Sequence, residues 1–154
     1  FTVYGERGLE NHAIMAMIAK AFINQSPFEI WGDGTQVRNW THVDDIVRGL
    51  MRAAEVVDNG NSINVGTMER IQVRQAVKMI LDYFKFHPTV VYLKGMPTGP
   101  YNRVCDNRKA KRLLNWQPHI SFRDGLIKTI RWYLAVKDKK KIRRHLQTLL
   151  MERK

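Results

Sequence analysis

The sequence predicts an α/β fold with an incomplete sheet, and three observations carry that prediction. Short β-prone runs alternate with longer stretches whose apolar residues recur at helical spacing; Gly, Pro and Asn mark the boundaries between them; and only three or four strands are found. That is few for a self-contained doubly wound sheet, and a strand without neighbours exposes unpaired backbone groups, so self-association into a homo-oligomer is expected.

Residues 1–4 (Phe-Thr-Val-Tyr) form the first β-prone run, ended by Gly5. Ile14, Ile18 and Phe22 then mark a helix that Pro27 stops, and residues 28–31 read as a second strand. Gly32-Asp33-Gly34 is a turn with two residues free to take positive φ. Thr41 with Asp44 resembles a capping box, and Val43, Ile46, Val47, Leu50, Met51 and Ala54 predict a helix with one buried stripe, closed by Asn59-Gly60. Residues 62–65 are expected to be a short strand ended by Gly66. Val73, Val77, Ile80, Leu81 and Phe84 mark the next helix, and a strand over residues 89–93 follows Pro88.

Residues 94–102 hold two glycines and two prolines, and make the longest candidate loop and a natural place for ligand contacts. Residues 106–114 return to helix. Ser121 with Asp124 is a second capping-box-like start, and Phe122, Leu126, Ile130, Tyr133 and Leu134 form the core face of the helix it opens. Ile142, Leu146, Leu149 and Leu150 give the tail an apolar stripe, so residues 137–154 are expected to form a basic, packed or partner-facing helix appended to a region of residues 1–136.

Lys plus Arg number 26 against 14 Asp plus Glu, a net charge of +12, which attracts polyanions without choosing among nucleic acid, acidic membranes and a diphosphate ligand. Much of the excess lies in residues 137–144 and 152–154, where a solvated tail is the plainer account of it. Helix-turn-helix spacing, aromatic platforms and zinc ligands are lacking, so a nucleic-acid or protein-interaction module stands only as an alternative. Apolar runs such as residues 13–19 fall well short of the roughly 20 residues that cross a bilayer, and no membrane partner is expected. The single cysteine, Cys105, excludes an internal disulfide and fits a reducing cytoplasm, while His12, His42, His87, His119 and His145 show no paired metal-ligand spacing. The start at Phe1, without a signal-peptide pattern, is expected of a piece of a longer protein.

The motifs add a resemblance. Phe1-Thr2-Val3-Tyr4-Gly5-Glu6-Arg7 resembles the Asn/Thr-Val-Tyr-Gly-Pro-Arg segment of the extended short-chain dehydrogenases, the family of nucleotide-sugar epimerases and dehydratases. Residues 30–47, with Gly32-Asp33-Gly34, Gln36, Arg38-Asn39 and Val43-Asp44-Asp45, resemble its Gly-Asp-Gly-x-Gln-x-Arg-Asp-x-x-x-Val-Asp-Asp block. Asn64-Val65-Gly66, the run from Arg103 through Asp106 to Lys109-Ala110, and Leu114-Asn115-Trp116-Gln117-Pro118 with Gly125-Leu126 continue the match in order to about Tyr133. The resemblance implies the C-terminal part of an NAD(P)-binding Rossmann-type enzyme: the last sheet strands plus the smaller substrate-binding subdomain. In the family, residues 1–4, the helix after Thr41 and residues 62–65 correspond to parts of the NAD-binding sheet and its cover.

It also implies a nucleoside-diphosphate sugar as substrate and NAD as cofactor of the parent enzyme, with this portion inactive alone. Arg38 is the first candidate for the substrate phosphates, because a planar guanidinium meets two oxygens at once; the alternative is an ion pair with Asp33 or Asp44. Arg103 and Asp106 correspond to a nucleotide-binding pair, although Arg103 also reads as a surface residue and Asp106 as a helix cap. Thr2 stands where many relatives carry a phosphate-binding asparagine; Asn11 and His12 lie at a helix entry that faces ligand in relatives; and Trp31 is placed to line a base slot or simply to pack. Asp44 and Asp45 look like paired catalytic carboxylates but are expected to cap and complement a helix dipole. No residue of the chain is expected to be catalytic, to bind the dinucleotide or to hold a metal. The family's Gly-x-x-Gly-x-x-Gly turn is lacking, and Tyr4, Tyr83, Tyr92, Tyr101 and Tyr133 are each expected to fail the test of a lysine four residues on in the same helix.

Overall fold

The computed structural model describes residues 2–151, and their side chains to residue 148. Phe1, the side chains of Leu149, Leu150 and Met151, and residues 152–154 lie outside the described residues. In order, the elements are β1 (Val3–Tyr4), α1 (Ala13–Phe22), β2 (Phe28–Trp31), β3 (Val37–Arg38), β4 (Thr41–His42), α2 (Val43–Val56), β5 (Ile71–Gln72), α3 (Val73–Phe84), β6 (Val90–Leu93), β7 (Asn102–Arg103), α4 (Arg108–Leu114), α5 (Phe122–Val136) and α6 (Lys139–Met151). The strands fall into three small sets: β1 with β4 in parallel, β2 with β6 in parallel, and β5-β3-β7 with β3 in the middle.

One apolar core joins α1, α3, α5 and α6 to β2. Ile14, Ile18, Phe28, Ile80, Phe122, Leu126, Ile130 and Tyr133 are buried in it, and Ile142 and Leu146 bring α6 into the same cluster. Each fully buried side chain of this size contributes roughly 1.5–3 kcal/mol through lost apolar exposure. Trp40 stacks on Phe122 at 5.3 Å, and the Tyr4 hydroxyl donates to the Phe122 carbonyl at 3.0 Å, which fastens β1 to the start of α5. Ser121 caps α5 as expected, its hydroxyl accepting the Asp124 amide.

Four expectations are corrected. Residues 62–65 carry no ladder: a strand needs a backbone neighbour, none of the described strands lies beside them, and Ile63 and Val65 pack instead on a second cluster of Ala110, Leu114 and Trp116. The cap of α2 is His42, whose Nδ1 accepts the Asp44 amide, because the Thr41 hydroxyl is taken by the Thr67 amide. The helix ends at Val56, ahead of Asn59-Gly60. The predicted stripe of α2 is not buried either: Val47, Leu50 and Met51 are 48%, 58% and 64% exposed, and the buried residues of the helix are Asp45 and Gly49. The helix is held from its other side, where Gly49 lets Val65 and the Trp116 ring approach closely and Trp116 Nε1 donates to the Asp45 carbonyl.

Candidate functional site

The Gly-Asp-Gly turn after β2 is built by its own side chains. Asp33 accepts from the Thr35 amide at 2.9 Å and from the Thr35 hydroxyl at 2.5 Å, while Gln36 Nε2 donates to the Trp31 carbonyl at 3.2 Å. Gly32 takes φ +81°, and a Cβ there would collide with the Gln36 amide and the Thr98 methyl, so glycine is required twice over. The turn thus delivers the chain into β3 with Trp31 at one end, 39% exposed, and Arg38 at the other.

Arg38 and Arg103 are register partners in the parallel pair of β3 and β7, so their side chains leave the same face from backbones roughly 4.8 Å apart. Arg38 is fastened by neutral acceptors: its guanidinium donates to the Val37 carbonyl at 2.7 Å, the Thr98 carbonyl at 2.7 Å and, more weakly, the Tyr101 carbonyl at 3.5 Å. Among the described residues no carboxylate forms an ion pair with either arginine, and neither Asp33 nor Asp44 is a partner of Arg38. Partial burial, and then the positive charge of Arg103, pull the Arg38 pKa below its ordinary value. Two like charges side by side repel, and an anion spanning both relieves that repulsion.

The other predicted residues are placed unevenly. Asp106 is engaged by Arg108, whose Nε lies 3.0 Å from each carboxylate oxygen and whose amide donates at 3.0 Å; those hydrogen bonds hold the Asp106 pKa down at about 2. It stands in front of α4 as a helix-start acceptor. Thr2 uses its carbonyl to accept the Thr41 amide at 2.9 Å. His12 is the exposed N-cap of α1 without a side-chain cap bond, and the buried Asn11 Oδ1 has no hydrogen-bond partner. The structure therefore gathers Trp31, Arg38 and Arg103 around the loop of residues 94–102, and sets Thr2, Asn11 and His12 apart at the β1–α1 corner. Thr98 and Tyr101, whose carbonyls hold Arg38, were passed over in sequence: the Pro/Gly content points to the loop and cannot single out backbone acceptors within it.

Asp45 acts structurally. Its buried carboxylate accepts the His119 amide at 3.1 and 3.0 Å, the Ile120 amide at 2.9 Å and Arg48 at 2.5 Å, while Asp44 pairs with Lys128. Of the five tyrosines, Tyr133 comes nearest to the catalytic spacing. Tyr133 does have a lysine four residues on, but Lys137 lies just past the end of α5. The buried Tyr133 hydroxyl donates to Glu10 at 3.2 Å, and Lys137 pairs with the same carboxylate oxygen at 2.7 Å. Burial raises the Tyr133 pKa far above its ordinary value, the opposite of what a proton-abstracting phenolate needs.

Among known proteins, the model of the NAD-dependent epimerase/dehydratase family matches residues 1–66. The chain is 35% identical to the UDP-glucuronate 4-epimerase of Thermodesulfobacterium geofontis, over 86% of this chain and 41% of that protein. It is 30% identical to the GDP-mannose 3,5-epimerase of Arabidopsis thaliana, over 88% of this chain and 35% of that one. The crystal structure of the UDP-glucuronic acid 4-epimerase of Bacillus cereus with UDP-glucuronic acid and NAD superposes with a TM-score of 0.81 at 32% identity, covering 89% of this chain and 44% of that chain. A dTDP-glucose 4,6-dehydratase of Bacillus anthracis, 22% identical with a TM-score of 0.82 over 92% of this chain and 45% of its own, shares the fold. The chain thus spans about two fifths of the length of these relatives. Among the described residues no helix is long and apolar enough to cross a membrane.

Proposed function

Since the chain belongs to the NAD-dependent epimerase/dehydratase family within the extended short-chain dehydrogenases, we propose that it is the nucleotide-sugar-binding portion of an enzyme that epimerises or dehydrates a nucleoside-diphosphate sugar through a keto intermediate. The observation that carries the proposal is the register pair Arg38–Arg103, two same-face guanidiniums without a carboxylate among the described residues. The diphosphate lies across them. Trp31, at the rim of the same turn, lines the slot for the base. Thr2, Asn11 and His12 serve the ligand from the β1–α1 corner, with the unpartnered Asn11 Oδ1 free to accept a sugar hydroxyl. Asp106 enters only by exchanging Arg108 for the ligand.

NAD is the expected cofactor of the whole enzyme, and the residues described do not fit it. Gly5 and Gly8 follow β1 as Gly-x-x-Gly, yet the space over them is filled by this chain's own side chains: a Cβ at Gly5 would run into Val43, and one at Gly8 into Met15. Hydride transfer and proton abstraction are therefore assigned to a dinucleotide-binding region with its own Gly-rich turn and Tyr-x-x-x-Lys, and this chain contributes substrate specificity. The open stripe of α2 is the face such a region would cover.

Calorimetric titration of the chain with UDP-, GDP- and dTDP-sugars tests the proposal. Weak binding to at least one is expected, with Arg38→Ala and Arg103→Ala each weakening it by about 10- to 100-fold, the loss of one charge-assisted contact of roughly 1.5–3 kcal/mol. Binding that ignores both substitutions, or turnover by the chain alone with NAD, would overturn it.

A further inference from the structure

The connection from β1 to α1, residues 5–12, has neither strand nor helix, yet it carries Asn11 and His12. Its backbone closes two small turns: the Gly8 amide donates to the Gly5 carbonyl at 3.2 Å, and the His12 amide to the Leu9 carbonyl at 3.0 Å. Such turns shape the connection locally without fixing where it stands on the rest of the fold. Its start is held by Glu6, 3.4 Å from Lys128 of α5. Beyond that, among the described residues, Glu10 is the one member of residues 7–12 whose side chain finds a hydrogen-bond or ion-pair partner.

β1 and α1 bring the Glu10 carboxylate to a buried place, and the end of α5 clamps it there. The Tyr133 hydroxyl donates to Oε1 at 3.2 Å, and the Lys137 ammonium pairs with the same oxygen at 2.7 Å. Both partners are steadied in turn. Tyr133 is fully buried and meets Phe22 of α1 edge-on at 5.5 Å, and the Lys137 ammonium lies over the Trp132 and Tyr133 rings at 5.8 and 5.6 Å. A buried carboxylate keeps its place only while it is paired, because an uncompensated charge is far better solvated by water. Loss of the ammonium therefore turns Glu10 outward and carries its neighbour Asn11 along.

We propose that Glu10, clamped by Tyr133 and Lys137, is a positioning residue that sets Asn11 at the sugar end of the site, so that Lys137 governs affinity for the sugar without touching it. The inference rests on the reading of the β1–α1 corner as the part that serves the sugar. Asn11 Oδ1 is buried and unpartnered, and it meets a sugar hydroxyl only if the backbone at residue 10 stays where the clamp holds it. Glu10 and Tyr133 lie 123 residues apart, so no spacing in the chain announces the link.

The test compares the full chain with Lys137→Met, Lys137→Arg and Tyr133→Phe. The Lys137 side chain is 29% exposed and Tyr133→Phe keeps the ring, so circular dichroism is expected to show all three folded. Calorimetry pairs UDP-glucose with UDP, and GDP-mannose with GDP. Lys137→Met and Tyr133→Phe are expected to weaken the nucleotide sugar about 3- to 10-fold, the loss of one neutral hydrogen bond, and to leave the bare nucleotide unchanged, while Lys137→Arg restores the sugar's share. Hydrogen exchange needs no ligand: the His12 amide is expected to exchange about 10-fold faster in Lys137→Met, with the amides of α3 unaltered. Unchanged His12 exchange, equal weakening of nucleotide sugar and bare nucleotide, or no weakening of either overturns the proposal. Bare UDP and GDP that ignore Arg38→Ala would count against the arginine pair instead.

Discussion

Asp45 offers the sharpest test of the split between acid chemistry and architecture in the Asp44-Asp45 pair. Its side chain is 2% exposed and accepts two backbone amides, those of His119 and Ile120, in addition to Arg48. Asp45→Ala leaves both amides without an acceptor in a buried place, at about 1–3 kcal/mol each. Arg48 is 40% exposed and recovers its solvation, so it adds little. A loss of about 3–5 kcal/mol is expected, a large share of the 5–15 kcal/mol that holds a typical domain. Asp45→Asn keeps one acceptor oxygen and is expected to cost about half as much. Urea unfolding followed by far-ultraviolet circular dichroism measures both, provided the m-values stay equal. A cost below about 1 kcal/mol for Asp45→Ala would refute the reasoning, since orphaned amides cannot be that cheap unless the loop of residues 117–120 does not dock as described.

Three further outcomes follow from the same structure. Burial lowers the folded-state pKa of His42 below 6.5, so the unfolded chain binds more protons between those two values; stability is complete above about pH 6.5 and declines as pH falls through the window, and a flat urea midpoint from pH 7.5 to 5.5 contradicts it. Leu50→Gln and Met51→Gln lie on the open stripe of α2 and are expected to shift stability by no more than about 0.5 kcal/mol, whereas a loss above 2 kcal/mol by urea titration would mean that the stripe is covered. Gly32→Ala is expected to cost at least 1–2 kcal/mol from the left-handed backbone alone, and it should also weaken nucleotide-sugar binding by disturbing the Gln36 and Thr98 contacts that position Arg38.

Periodicity made α1, α3 and α5 legible because each buries a stripe inside this chain: Ile14 and Ile18, Val77 and Ile80, Leu126 and Ile130 all reach the core. The same periodicity misled at α2. Its apolar side faces none of the described elements, while the contacts that fix it run through a glycine and a buried aspartate, residue types that a hydrophobic pattern does not count. Residues 62–65 failed as a strand for a related reason, since β propensity describes a surface ready to pair and cannot supply the neighbour. The Thr41 cap was misread because the preference for a hydroxyl at a helix start is local, and the Thr67 amide that claims this hydroxyl lies 26 residues away.

The site was legible to the extent that its chemistry sits in contiguous blocks. Arg38 and Trp31 flank one turn, and Arg103 joins them by strand register; that register, and with it the pairing of the two charges, is nowhere in the spacing of the residues. Tyr133 and Lys137 make the converse case. They have the four-residue spacing of a catalytic pair, but the lysine has left the helix, and both side chains converge on the single carboxylate of Glu10. A tyrosine activated for proton transfer needs an exposed hydroxyl and a cation that lowers its pKa. Here burial and the Glu10 charge raise it, and the cation nearby is spent neutralising that charge. The same four-residue spacing thus yields a core anchor, because what decides between the two roles is which charge reaches the hydroxyl first, and Glu10 is held there by β1 and α1, not by the helix that carries the tyrosine.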